Sequence, residues 1–216
     1  MLRDIAFVCL AVGVIGLSYG AASVTAGFAW WFPVLMGVLV LAASSEFLFV
    51  GIIAAGGSPI AALLAGLLVN ARHLPFGLAV PDVLGHGRRR LLGTHLMNDE
   101  TVVFALAQDG TARQRAAYWA CGLGILVCWP GGAALGALLG SVVEDTGVLG
   151  LDAMFPAVIL ALVLPAMKER GVRRTALAGA VLALAATAFL PAGLPVLAAL
   201  AALPLSRVKA VEGAVR

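Results

Sequence analysis

The sequence predicts an all-α polytopic membrane bundle, and three observations carry that reading. The 216 residues are 62% hydrophobic and only 12% charged. The mean hydropathy is +1.06. Ala, Leu, Gly and Val run on without the strict alternation of a half-buried strand. A water-soluble domain of this length needs far more polar covering. Backbone groups in lipid must be satisfied inside a helix or a closed barrel, and the missing alternation removes the barrel.

Taken in order, apolar blocks of spanning length fall at 5–22, 30–53, 60–80, 116–140, 151–167 and 175–190, with a shorter one at 194–206. About 20 helical residues cross a hydrocarbon core of roughly 30 Å. The first block follows "MLRD", where Asp4 weakens the basic start of a cleaved leader, so the block reads as a span. Basic residues gather at Arg88, Arg89 and Arg90, at Arg113 and Arg115, at Lys168, Arg170, Arg173 and Arg174, and at Arg207 and Lys209. The positive-inside rule assigns these places to the cytoplasm, and the connection with Glu144, Asp145 and Asp152 to the outside, together with the uncharged "LPAGLP" at 190–195.

With basic loops on both flanks, the segment 92–108 cannot simply cross once. It is expected to re-enter or break, and to border a cavity, because irregular backbone at membrane depth is tolerated only where protein buries it or water lines it. The sum is about seven spans plus that segment, in a single membrane permease domain over 1–216. Since the basic residues sit between spans, the net charge of +3 is an orientation signal and not a nucleic-acid footprint. Cys9, Cys121 and Cys128 lie in apolar blocks without metal-type spacing and read as small buried hydrophobes.

Pro33, Pro75, Pro130, Pro156 and Pro165 predict bent or broken helices, and in "GGSP" at 56–59 Ser58 can cap a helix that starts at Pro59. Gly132, Gly136 and Gly140 share one helical face and allow close approach by another helix, with packing inside the chain the plainer use. No soluble domain, long linker or internal repeat is evident.

An ionised group at the centre of a span costs roughly 2.5–3.5 kcal/mol before pairing, so each one is a functional candidate. "LAASSEFLFVG" carries Ser44, Ser45 and Glu46, "LLVNARHLPFGLAVP" carries Asn70, Arg72 and His73, and the broken segment carries Thr94, His95, Asn98, Asp99 and Glu100. On a helix Asn70 and His73 are about 60° apart, with Arg72 on the flank about 100° from His73. Pro75 removes the amide that would bond the Ala71 carbonyl, which predicts a helix broken beside a polar cavity.

Arg72 needs a carboxylate, and Glu46, Asp99 and Glu100 are at hand, with Asp99 or Glu100 favoured. Glu46 or His73 is then left to exchange protons, His73 because imidazole titrates near neutrality and Glu46 because a carboxyl away from water can carry a proton. The bland alternative is a static polar cluster that locks helix packing. His86 reads as a loop residue, and Arg88, Arg89 and Arg90 as a signal facing anionic lipid rather than a substrate site. His73, His95 and Asp99 could hold a metal, but no HExxH-type motif accompanies them, and no phosphate-binding loop supports ATP coupling, so no cofactor is expected.

Three blocks in order, "LLVNARHLPFGLAVP", "THLMNDETVVFAL" and "LGALLG" followed by "LGLDAMFPAVILALVLP", resemble the AzlC-type large subunits of bacterial branched-chain amino-acid exporters. The resemblance implies a multi-pass permease of the bacterial inner membrane that works with a small AzlD-type membrane subunit on hydrophobic amino acids. It makes Asn70, Arg72, His73, Asp99 and Glu100 the motif residues. Asn98 stands where the family often has Thr, and Glu46 where Gln is frequent. The expected function is secondary export of a small hydrophobic amino acid, with an intramembrane metal-dependent enzyme and a non-transporting scaffold as the rival readings.

Overall fold

The computed structural model describes residues 1–142, 160, 164, 167–191 and 194–205, and every regular element among them is helical. In chain order these are α1 (Leu2–Thr25), α2 (Trp31–Leu39), α3 (Ala43–Ala54), α4 (Pro59–Asn70), α5 (His73–Ala79), α6 (Arg88–His95), α7 (Asp99–Leu106), α8 (Thr111–Val142), α9 (Arg170–Thr187) and α10 (Leu194–Ala198), which leads into a 3₁₀ segment (Ala199–Leu205). Among the described residues three helical runs are long and apolar enough to cross a membrane: Leu2–Thr25, Pro59–Ala79 and Thr111–Val142. The expected block 151–167 lies almost wholly outside the described residues. All but the last three residues of the block 175–190 fall in α9, which opens with Arg170, Arg173 and Arg174.

The most extensive helix pair is α1 against α8. Without side chains at the contact, two helix backbones can touch directly. A Cβ on Gly16 would sit 2.8 Å from the Trp129 carbonyl oxygen, and one on Gly140 would sit 3.0 Å from the Ala21 Cα. Gly132 and Gly136 face the Gly13 and Leu17 carbonyls in the same way. The glycine stripe therefore serves packing inside the chain. Tyr19, Phe47 and Trp129 fill the centre beside this seam, with the Tyr19 and Trp129 rings stacked at 5.3 Å and Tyr19 edge-on to Phe47 at 5.2 Å. The outward faces are apolar too: Leu67, Leu74 and Leu78 are exposed, the last at 82%, a surface that suits lipid tails and not water.

The 30–53 block is not one helix, because the chain turns at 40–42 between α2 and α3. Leu41 takes a left-handed φ of 51° although its side chain is buried. Such a conformation in a bulky residue is held only by its surroundings and collects at functional or hinge positions. A second interruption, at 96–98, separates α6 from α7 within the expected broken segment. Leu96, Met97 and Asn98 are all buried, as irregular backbone at membrane depth requires.

Proline is a poorer guide than expected. Pro130 lies inside the uninterrupted 32-residue α8, and Pro33 sits in the first turn of α2, where its missing amide is harmless. Trp129 and Pro130 pack on Gly37 of α2, so neighbouring protein holds the helix continuous there. Pro156 and Pro165 fall outside the described residues. Ser58 does cap α4, accepting a hydrogen bond from the Ala61 amide at 3.1 Å with Pro59 at the first helical position.

Candidate functional site

The α4 to α5 junction tightens rather than breaks. Ala71 and Arg72 keep right-handed helical φ and ψ, while the Ala71 amide bonds the Leu68 carbonyl and the Leu74 amide bonds the Ala71 carbonyl. These are 3₁₀-type bonds, and such a step inside a helix marks hinges and functional sites. Pro75 explains the shift. Lacking an N–H, it cannot serve the Ala71 carbonyl, so Leu74 serves it instead and abandons the carbonyl of Asn70. The Ala71 carbonyl is thus not the orphan that the sequence suggests. The freed acceptor is Asn70, and the His73 ring takes it through Nδ1 at 2.9 Å.

That bond fixes the chemistry of His73. A carbonyl only accepts, so Nδ1 bears the hydrogen, and in the neutral ring Nε2 is a bare acceptor. His73 Nε2 is buried without a hydrogen-bond partner among the described residues, as are Asn70 Oδ1 and Arg72 Nε. Two acceptors and one cationic donor therefore collect within a single turn. Left unpaired, each costs roughly 1–3 kcal/mol.

Arg72 also reaches across to α7, its Nη2 lying 3.0 Å from Asp99 Oδ2. Asp99 is one of the two partners favoured from the sequence. The side chains are 31% and 49% exposed, and a pair so incompletely buried adds little stability, so packing alone does not account for it. Asp99 and Glu100 are the first two residues of α7, where the helix dipole favours negative charge. Glu100 lies within electrostatic reach of Arg72 and Asp99.

Asn98 starts α7 as its cap. Its Oδ1 accepts from the Thr101 amide at 2.9 Å, and Thr101 Oγ1 accepts from the Asn98 amide at the same distance. This reciprocal box holds the α7 N-terminus and with it Asp99. Asn98 is therefore a positioning residue, and Thr101, overlooked at the sequence level, is its partner. The Asn-x-x-Thr spacing carried the signal.

Glu46 does not join this group. Fully buried in the first turn of α3, it accepts from the Ala42 amide at 2.9 Å and, through both oxygens, from Trp129 Nε1 at 3.1 and 3.2 Å. Ala42 would ordinarily bond the Val38 carbonyl; with its amide turned to Glu46, that carbonyl is taken by His95 Nε2 at 2.8 Å. His95 thus ties the end of α6 to the open end of α2. Sequence spacing offers His95 as a metal ligand beside Asp99 and His73, but the three are engaged separately, and no group of three His, Cys, Asp or Glu side chains among the described residues is placed to hold a metal.

The AzlC protein family model matches residues 8–143. The chain belongs to the AzlC family. It is similar to the branched-chain amino acid transport protein AzlC of Bacillus subtilis, 29% identical over 160 residues that make up 72% of this chain and 63% of that protein. Uncharacterized membrane proteins of Haemophilus influenzae (32% identical, 59% of this chain and 54% of that one) and Archaeoglobus fulgidus (28%, 77% and 74%) are also similar. The matched region spans less than two thirds of the Bacillus and Haemophilus proteins. No solved structure matches. Family, relatives and apolar helices together make this AzlC-family chain a multi-pass inner-membrane protein.

Proposed function

We propose that the chain is the large subunit of a two-component permease that exports a small hydrophobic amino acid, of the branched-chain type. The observation that carries this reading is the set of unpaired buried atoms at the 3₁₀ step, Asn70 Oδ1, Arg72 Nε and His73 Nε2. Their pattern is complementary to a zwitterion. Arg72 Nε donates to the substrate carboxylate, Asn70 Oδ1 and His73 Nε2 accept from the ammonium group, and the aliphatic side chain rests among apolar residues. The three atoms are closed off in this conformation, so a substrate reaches them only when the step opens, and binding then recovers hydrogen bonds they otherwise forgo.

Asp99 pairs with Arg72 through Nη2, which leaves Nε for the substrate, with Glu100 as the neighbouring negative charge. Of the two groups offered for proton coupling, we assign the role to His73, since both Glu46 oxygens already accept hydrogen bonds inside the core. The name of the Bacillus relative supports branched-chain substrates. The outward direction and the small AzlD-type partner rest on the resemblance of the three sequence blocks, "LLVNARHLPFGLAVP", "THLMNDETVVFAL" and "LGALLG" followed by "LGLDAMFPAVILALVLP".

The test is efflux of leucine or valine from an exporter-deficient bacterial strain that expresses this chain with its small subunit. Wild type is expected to restore efflux, and Arg72→Ala and Asp99→Asn to lower it at least tenfold at equal expression, the loss of about one charge-assisted hydrogen bond of 1.5–3 kcal/mol. Undiminished efflux in both variants rejects the assignment.

A further inference from the structure

We propose a second site, unrelated to the amino-acid path: a cavity for the phosphodiester headgroup of an anionic phospholipid, between the start of α6 and the start of α8. The cavity has a volume of about 630 Å³ and is lined by Gly85, His86, Arg89, Leu92, Ala112, Arg115, Ala116 and Trp119. That volume lies within the roughly 300–1,000 Å³ of small-ligand sites.

The sequence builds it from two helix faces and a glycine loop. Arg89 and Leu92 are three apart on α6, while Ala112, Arg115, Ala116 and Trp119 follow the i, i+3, i+4, i+7 pattern of one α8 face. Gly85 and Gly87, at φ of 91° and 55°, turn the chain around His86 and close the end.

The lining is amphiphilic and carries charge of one sign. Two guanidinium groups and an imidazole meet no carboxylate in the wall, and Leu92, Ala112 and Ala116 supply an apolar floor. Arg115 is held by donating from Nη2 to the Asp82 carbonyl at 2.8 Å, which leaves its other donors free. Trp119 is fixed by its ring nitrogen on the Val83 carbonyl at 2.9 Å, an indole with one polar edge of the kind that sits at the membrane interface. The exposed Arg89 side chain makes no hydrogen bond or ion pair among the described residues, which leaves its guanidinium free to meet an anion. A free phosphate would use the arginines but not the apolar floor; a phospholipid uses both, and the basic flanks of α6 and α8 put the cavity at the headgroup level of the cytoplasmic leaflet.

Native mass spectrometry of the purified full chain in detergent tests this, with phosphatidylglycerol, phosphatidylcholine and inorganic phosphate as separate additions. Wild type is expected to retain phosphatidylglycerol in preference to phosphatidylcholine. Arg89→Ala, on an exposed side chain without partners, and Arg115→Gln should each weaken phosphatidylglycerol retention about fivefold. Arg173→Ala, in another basic cluster, should leave it unchanged. Equal retention of the two lipids, an undiminished preference in Arg89→Ala, or displacement of phosphatidylglycerol by millimolar phosphate would overturn the proposal, the last in favour of a free-phosphate site.

Discussion

Replacing Glu46 separates the structural and the proton-carrying readings of the most deeply buried acid among the described residues. Glu46→Ala leaves two N–H donors, those of Ala42 and Trp129, without acceptors in a core that admits no solvent to Glu46. At roughly 1–3 kcal/mol for each unsatisfied donor, the loss is about 2–6 kcal/mol before any cavity is counted. Glu46→Gln behaves differently: an amide oxygen in the Oε1 position keeps the bonds from Ala42 and Trp129 at 2.9 and 3.1 Å, and only the longer Trp129 contact to Oε2, at 3.2 Å, is given up. The assay is thermal unfolding followed with a thiol-reactive dye, since Cys9 and Cys121 are free and buried and become reactive only on opening. Glu46→Ala is expected to unfold lower by on the order of 5–20 °C, and Glu46→Gln to stay close to wild type and to retain efflux. An unshifted Glu46→Ala, or a Glu46→Gln that keeps its stability and loses efflux, would refute the structural assignment of this side chain.

Substitutions at three further positions probe the scaffold that holds the site. Gly136→Leu drives a side chain into the Leu17 carbonyl and should cost about 1–3 kcal/mol or more, seen as aggregation on size-exclusion chromatography; a monodisperse wild-type profile would contradict the α1 to α8 seam. Asn98→Ala should lower stability by about 0.5–2 kcal/mol while Asn98→Thr, which can still cap α7, keeps most of it in the same thermal scan. His95→Phe strands the Val38 carbonyl and should cost about 1–3 kcal/mol, with partial recovery in His95→Gln if its amide reaches the same acceptor.

The helical class and the partner of Arg72 were legible in the residues because membrane depth leaves few choices: a charge there needs an opposite charge, and only three carboxylates were near. The Ser58 cap was legible because its signal is local. The turn at 40–42 was not, since "VLA" contains neither glycine nor proline; the left-handed Leu41 is flanked by the Glu46 bond to Ala42, the long-range His95 bond to Val38, and its own packing in the core. Pro130 misled for the converse reason, its helix being kept whole by packing against α2. At Asn70, Arg72 and His73 the cluster is readable from the residues, its mechanism not. The consequence of Pro75 is felt one residue earlier than the missing amide suggests, as Leu74 moves to Ala71 and leaves Asn70 to His73.

The most direct measurement is binding of radiolabelled leucine to the purified protein, competed by leucinamide, which lacks the carboxylate, and by 4-methylpentanoate, which lacks the ammonium group. Leucine is expected to bind wild type, both analogues to compete at least tenfold more weakly, and Arg72→Lys, which keeps the charge but has no Nε–H, to lose the discrimination against leucinamide. Equal competition by leucinamide, or full discrimination in Arg72→Lys, would contradict the recognition of a zwitterion at the Asn70, Arg72 and His73 step.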